Sequence, residues 1–240
     1  MASEEFNNEL DNMFNENTEY SNINIDREIL KNFFVIEGLD GAGTTTQLKL
    51  LDKELSVRNI PHLCTFEPTD FEIGSLIRNI LHKKTKANRD TIAFLFAADR
   101  NEHIYRKDYG IIDHLDKKEL VICDRYLFSS LAYQSVDCGF NFVFSLNSRF
   151  PLPEYLIYID TPVMISQERI NKRPGNELFD IKVFQEKVRK NYANIFKLFS
   201  MSRMKIITVK GDRPIKAIHN SIMDIILKDR LKDRLKNRQV

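Results

Sequence analysis

The chain has 240 residues, 42% of them hydrophobic and 29% charged, with a formal net charge of +2. That balance fits one folded domain with room for a full core and excludes a chain too polar to fold. The longest apolar runs, such as 92–98, fall far short of the ~20 residues a membrane-spanning helix needs, and the acidic, polar start does not read as a secretory signal.

The modest net charge hides an asymmetry. Residues 1–30 carry eight acids and one base, a charge of −7, so the rest of the chain carries +9. A basic body suits anionic ligands, with nucleotides and nucleic acid both open at this point. Three widely spaced cysteines, Cys64, Cys123 and Cys138, contain no CxxC pair. Their spacing argues against a disulfide framework or a zinc site and fits a reducing, cytoplasmic setting.

Residues 1–31 are rich in Asn and Glu and read as a polar acidic extension, disordered or loosely packed, with a docking or autoinhibitory role as the functional alternative. Residues 32–227 form the main domain. Phe33 to Glu37 reads as a buried strand, and Thr45 to Val57 as a helix. Asn59-Ile60-Pro61 breaks the chain before a second strand, His62 to Phe66, and the loop Glu67-Pro68-Thr69. Ile73, Leu76, Ile77, Ile80 and Leu81 recur at helical spacing. A long helix over Asp90 to His103 and a short one over Tyr109 to Lys118 follow. Leu120 to Asp124, Tyr155 to Asp160 and Lys205 to Val209 read as three more strands. Residues 228–240 form a basic helical tail built on Leu227-Lys-Asp-Arg230 and two near repeats, either a solvated extension or a contact for an acidic partner.

Strands alternating with helices predict a parallel sheet covered on both faces, an α/β/α three-layer fold with five strands and a short lid. In such sheets ligands bind at the carboxyl ends of the strands. The stretch Gly38-Leu39-Asp40-Gly41-Ala42-Gly43 lies at the first of these ends and opens the first helix. Its spacing, Gly38-x4-Gly43, fits a phosphate-binding loop, in which backbone N–H groups and a helix N-terminus converge on an anion. The lysine slot of that pattern holds Thr44. Thr45 fills the Ser/Thr slot, whose hydroxyl serves Mg²⁺.

Other candidates gather at the same edge. Asp124 ends a buried strand, where it is placed to hold Mg²⁺, and Arg125 follows as a phosphate clamp, the alternative being a surface ion pair. Phe96 and Arg100 share one helix face, suited either to stacking a base and holding a phosphate or to a core helix with an ion pair. Arg169, Lys172 and Arg173 precede Pro174-Gly175. They form either a loop bringing cations over phosphates or a solvated helix end.

Together these motifs resemble the thymidylate kinase family. Gly38 to Gly43 with Thr45-Thr46-Gln47 is similar to its phosphate loop, and Glu67-Pro68-Thr69 to its turn after strand two. Leu95 to Arg100 with His103 resembles its acceptor helix, and Asp124-Arg125-Tyr126 with Ser129 to Gln134 its Asp-Arg signature. The resemblance spans about residues 33 to 225. It implies a P-loop nucleoside monophosphate kinase that uses ATP and Mg²⁺ to phosphorylate dTMP, forms a homodimer and binds neither nucleic acid nor membrane.

By that resemblance Gly38 to Thr46 and Arg169 bind ATP, and Thr45 and Asp124 serve the metal. Asp124, Arg125, Lys172 and Arg173 act in transfer. Asp40, Glu67, Arg78, Phe96, Arg100, Tyr133 and Gln134 bind the acceptor: Phe96 stacks on the base, Arg78 and Gln134 face its edge, and Tyr133 walls off the 2′ position. Two departures are visible, Thr44 for the lysine and Phe66 where many relatives carry arginine. The alternatives are a nucleotide-binding protein with impaired catalysis and a kinase of another nucleotide.

Overall fold

The structure, a computed structural model, describes residues 25–171 and 178–236. Five strands form one all-parallel sheet: β1 (Ile29–Gly38), β2 (His62–Phe66), β3 (Leu120–Asp124), β4 (Leu152–Asp160) and β5 (Lys205–Lys210). Their spatial order is β2-β3-β1-β4-β5. The helices among the described residues are α1 (Thr44–Val57), α2 (Glu72–Leu81), α3 (Arg89–Tyr105), α4 (Ile111–Asp116), α5 (Leu127–Tyr133), α6 (Ser135–Cys138), α7 (Phe140–Asn147), α8 (Val163–Asn171), α9 (Leu178–Phe199) and α10 (Ile215–Lys236).

The two-residue period of β1 decides which helices cover which face. Phe33 and Val35 point to one side, into a core with Ile104 of α3, Leu127 and Leu131 of α5, and Tyr192 and Phe199 of α9. Phe34 and Ile36 point to the other, into a core with Leu48, Leu51 and Leu55 of α1 and Ile218, Ile222 and Ile226 of α10. Burial on both faces is why the strands are continuous apolar runs. None of the described helices is long and apolar enough to cross a membrane.

The chain leaves β1 for the outer strand β2, returns to β3, and then crosses β1 to reach β4. This reversal on either side of β1 opens a crevice at the carboxyl ends of the strands. Gly38 ends β1 there, and Ile36 pairs with Asp124, which in turn pairs with Phe66.

Two strands start earlier than the apolar pattern predicts. β1 begins at Ile29, where Ile29 and Leu30 pair with Leu152 and Pro153 before a register shift. The expected boundary between extension and domain at 31/32 therefore falls inside a strand. Acidic neighbours hide this start in the sequence, and two prolines, Pro151 and Pro153, hide that of β4. Arg27 is also buried. Its Nη1 donates to the carbonyls of Asn147 and Phe150 at 2.9 and 3.4 Å. The rest of the predicted acidic extension, residues 1–24, lies outside the described residues. The Leu-Lys-Asp-Arg repeats continue α10 without a break to Lys236.

Candidate active site

The phosphate-loop geometry follows from three glycines. Gly41 and Gly43 have φ of +81° and +102°, a region other residues rarely enter. A Cβ on Gly41 would also lie 2.4 Å from the Ser166 carbonyl oxygen. Gly43 is the N-cap of α1, which has neither a side-chain cap nor an acid in its first turn. The helix start thus presents N–H groups and its positive end to a cavity of about 1310 Å³ lined by Asp40 to Gln47, Arg125 and Arg169. Leu39 and Ala42 face the protein core and fix the loop by packing. Thr44 is buried, and its methyl lies against Gly38.

Asp124 is buried at the end of β3. One of its carboxylate oxygens accepts the Thr45 hydroxyl at 2.6 Å, and the other, Oδ1, is buried without a partner among the described residues. An orphaned carboxylate oxygen beside a hydroxyl, at a phosphate loop, is a donor set of the hard oxygen type that suits Mg²⁺.

Arg125 has φ of +70°. Its N–H donates to the Ile36 carbonyl, and its guanidinium reaches Asp40 Oδ1 at 2.6 Å and Ser129 Oγ at 3.1 Å. Gln185 of α9 donates to the other oxygen of Asp40 at 3.1 Å. Asp40 and Arg125 line the phosphate-loop cavity and also a second one. That second cavity, about 390 Å³, is walled by Phe96, Tyr126, Tyr133, Gln134, Arg100 and Pro68. The two cavities share a wall made by the Asp40–Arg125 pair with Arg89, Asp137 and Phe184.

Within the second cavity, Tyr133 is held firmly. Its hydroxyl accepts the Asp40 N–H at 2.9 Å, its ring packs against Phe184 and Tyr192, and the Arg125 guanidinium lies 5.1 Å from its centre. Phe96 lines the wall with its ring, and Gln134 Oε1 is buried without a partner among the described residues.

Glu67 and Arg78 stand differently from the sequence expectation. Glu67 borders the cavity, but its oxygens are taken by Arg100 Nη2 at 2.7 Å and His103 Nδ1 at 3.1 Å. It positions Arg100 and neutralises it. Arg100 is buried, also donates to Ser130 at 3.0 Å and to Asn147 Oδ1, and keeps only Nε without a partner among the described residues. Arg78 does not line the cavity. Its guanidinium donates to the Pro68 and Thr69 carbonyls and pairs with Asp70 at 2.9 Å, so it ties α2 to the Glu67-Pro68-Thr69 turn. In this structure its fork is turned to those carbonyls.

Arg169 lines the phosphate-loop cavity while donating to the Ala42 carbonyl at 3.2 Å and to the Gly211 carbonyl at 3.0 Å. It braces the loop from behind. Lys172 and Arg173, the other expected lid cations, lie outside the described residues.

Sequence reasoning passes over three features. Lys83, just after α2, and Arg89, which opens α3, line the phosphate-loop cavity, and Arg89 pairs with Asp137 at its edge. Their signal lies in the basic run 83–89 between two helical patterns. The third is Glu37, an acid inside the apolar run of β1. It is fully buried, and burial raises its carboxyl to about 7, partly offset by the Arg125 charge and by hydrogen bonds from Ser129, Tyr192 and the Tyr126 N–H. Oε1 accepts the Tyr126 and Ser129 N–H groups at 2.9 and 3.1 Å; Oε2 accepts the Ser129 and Tyr192 hydroxyls at 2.6 and 2.8 Å. Ser129 in turn accepts from Arg125, so Glu37 holds the turn and the side chain of that arginine.

A phosphate loop on a parallel five-stranded sheet, sharing a wall that includes Arg125 with a mostly apolar pocket, defines the P-loop nucleotide kinase class. The thymidylate kinase family profile matches residues 36–222. A protein of Treponema pallidum designated, by inference, a thymidylate kinase is 42% identical over 198 residues, covering 81% of this chain and 94% of its own. Similarly designated proteins of Methanococcus aeolicus and Pyrococcus horikoshii are 35% and 38% identical and covered over 99% and 97% of their length. The chain belongs to the thymidylate kinase family and is a phosphotransferase of that family.

Proposed function

We propose that this protein transfers the γ-phosphoryl group of ATP to dTMP, giving ADP and dTDP, with Thr44 standing in the lysine slot of its phosphate loop. The observation that carries this reading is the meeting of the phosphate-loop cavity and the Phe96–Tyr133 pocket at Asp40 and Arg125. ATP fits the first, its phosphates on the loop N–H groups. A pyrimidine fits the second, against Phe96, with Gln134 Oε1 free to accept from its ring N–H. The rigid Tyr133 wall, bonded to the Asp40 backbone, supports selection of a deoxyribose.

An acceptor phosphate oxygen attacks the γ-phosphorus as its bond to the β-bridging oxygen breaks. Such transfer relies on positioning and on positive charge over the equatorial oxygens. Arg125, at the junction, supplies a charge to both phosphates. Asp124 and Thr45 would hold Mg²⁺, which would supply positive charge to offset that of the phosphates. Asp40 pairs with Arg125 in the absence of phosphates and is the proposed acceptor for the sugar hydroxyl. Lys83 and Arg89 join Lys172 and Arg173 as candidates for the charge missing at Thr44. A homodimer and a cytoplasmic location accompany the family resemblance, and mass measurement of the purified protein checks the first.

The test is ADP release with Mg²⁺-ATP and a panel of acceptors: dTMP, dUMP, dCMP, UMP and thymidine. Preference for dTMP supports the reading. A different preferred acceptor replaces the substrate, and no turnover from folded protein with any of them leaves a nucleotide-binding protein.

A further inference from the structure

Away from the cleft, β2 and α1 bring three different metal-ligating side chains together. His62 and Cys64 are two residues apart on β2, so they leave the same face of the sheet. Cys64 packs against the core formed with Leu48, Leu51 and Leu55, so that face is the one α1 covers. Asp52, on the same helix, completes the group. One ligating atom from each of Asp52, His62 and Cys64 lies within 4.8 Å of the others.

The hydrogen bonding of His62 gives this cluster a direction. Its Nδ1 lies 2.7 Å from the Ile60 carbonyl, which only accepts, so Nδ1 carries the hydrogen. In the neutral ring, Nε2 then turns a lone pair toward Asp52 Oδ1 at 3.3 Å. A metal ion between two acceptors at that distance would satisfy both. Bonds of ~2.0–2.1 Å around a tetrahedral zinc place neighbouring N and O ligands about 3.3–3.4 Å apart. The carbonyl on Nδ1 is also the kind of support that metal-bound histidines have. A proton would satisfy Asp52 and His62 alone, whereas a metal also engages the sulfur.

We propose that Asp52, His62 and Cys64 bind a divalent transition-metal ion of the zinc type, with a water in the fourth position. A sulfur–imidazole–carboxylate set selects borderline-soft ions and disfavours Mg²⁺, so this site is chemically separate from the Asp124–Thr45 pair. An occupied site joins α1, which follows the phosphate loop, to β2, which leads to Glu67. It cross-links the framework behind the cleft and takes no part in phosphoryl transfer. The ligands do not form a CxxC pattern, which is why cysteine spacing alone argues against zinc.

The experiment is a Co²⁺ titration of the reduced, nucleotide-free full-length protein, followed by optical absorption, then displacement by Zn²⁺. The expected result is one ion per chain with a thiolate-to-cobalt charge-transfer band that Zn²⁺ abolishes. Cys64→Ser removes the band and Cys138→Ser leaves it. Asp52→Asn, at a side chain 60% exposed and so safe for folding, weakens binding at least tenfold. This variant carries the test if Cys64→Ser fails to fold. Absence of the band in the unmutated protein, its survival in folded Cys64→Ser, or unchanged affinity in Asp52→Asn overturns the proposal.

Discussion

At the scale of single residues, Glu37 and Arg125 are linked through Ser129 at the floor of the cleft. Glu37 titrates higher in the folded chain than its ordinary value of 4.5, at about 7, because burial penalises its charge. Its proton is therefore bound more tightly in the folded than in the unfolded state. The stabilisation this gives is complete below about pH 4.5 and is lost as pH rises through about 7, a difference of order 3 kcal/mol. Glu37→Gln, which mimics the protonated acid, is expected to flatten the fall in stability between pH 4.5 and 7, checked by denaturant unfolding at several pH values. Glu37→Ala instead removes the anchor of Arg125 and is expected to lower kcat. Asp124→Asn changes the charge of the proposed metal pair while keeping an acceptor for Thr45. It is expected to reduce kcat about 10²–10³-fold and to weaken the Mg²⁺ dependence, read from initial rates against free Mg²⁺.

At the scale of elements, the phosphate loop depends on how closely α8 approaches it. Gly41→Ala would drive a Cβ to 2.4 Å from the Ser166 carbonyl in α8 and hold an unfavourable φ. The expected outcome is a raised KM for ATP and a stability loss of about 1–3 kcal/mol, measured by steady-state kinetics and unfolding. This loop, Asp124 and the Phe96–Arg100 helix face were legible in the sequence because each sits at a strand end or on a helical period. Arg78 was not. Helical spacing places it on α2 facing the turn, but only the folded turn reveals two carbonyls aimed at its guanidinium. Glu37 was hidden because one acid in an apolar strand reads as an edge residue until the helices that bury it, α5 and α9, are in place. Glu67 shows the same limit: its pairing with Arg100 joins positions 33 apart, a separation no local pattern reports.

At the scale of the whole molecule, the domain starts before its apolar run. Arg27 donates to the Asn147 and Phe150 carbonyls and stacks on Phe144 and Phe199 at 5.0 and 5.5 Å. Removal of residues 1–31 therefore takes this anchor and the first residues of β1, whereas removal of residues 1–24 leaves both. The longer deletion is expected to cost at least about 2–3 kcal/mol more than the shorter, checked by paired denaturant melts.

The proposed reaction is phosphate transfer to dTMP by a cleft whose loop lacks lysine. Steady-state ADP release with Mg²⁺-ATP and dTMP, compared across the unmutated protein, Thr44→Lys and Arg125→Ala, tests it most directly. Turnover is expected in the unmutated protein, with a change of less than about tenfold in Thr44→Lys and a loss of about 10²–10³-fold in Arg125→Ala. A folded, unmutated protein without turnover that becomes active only as Thr44→Lys would contradict it.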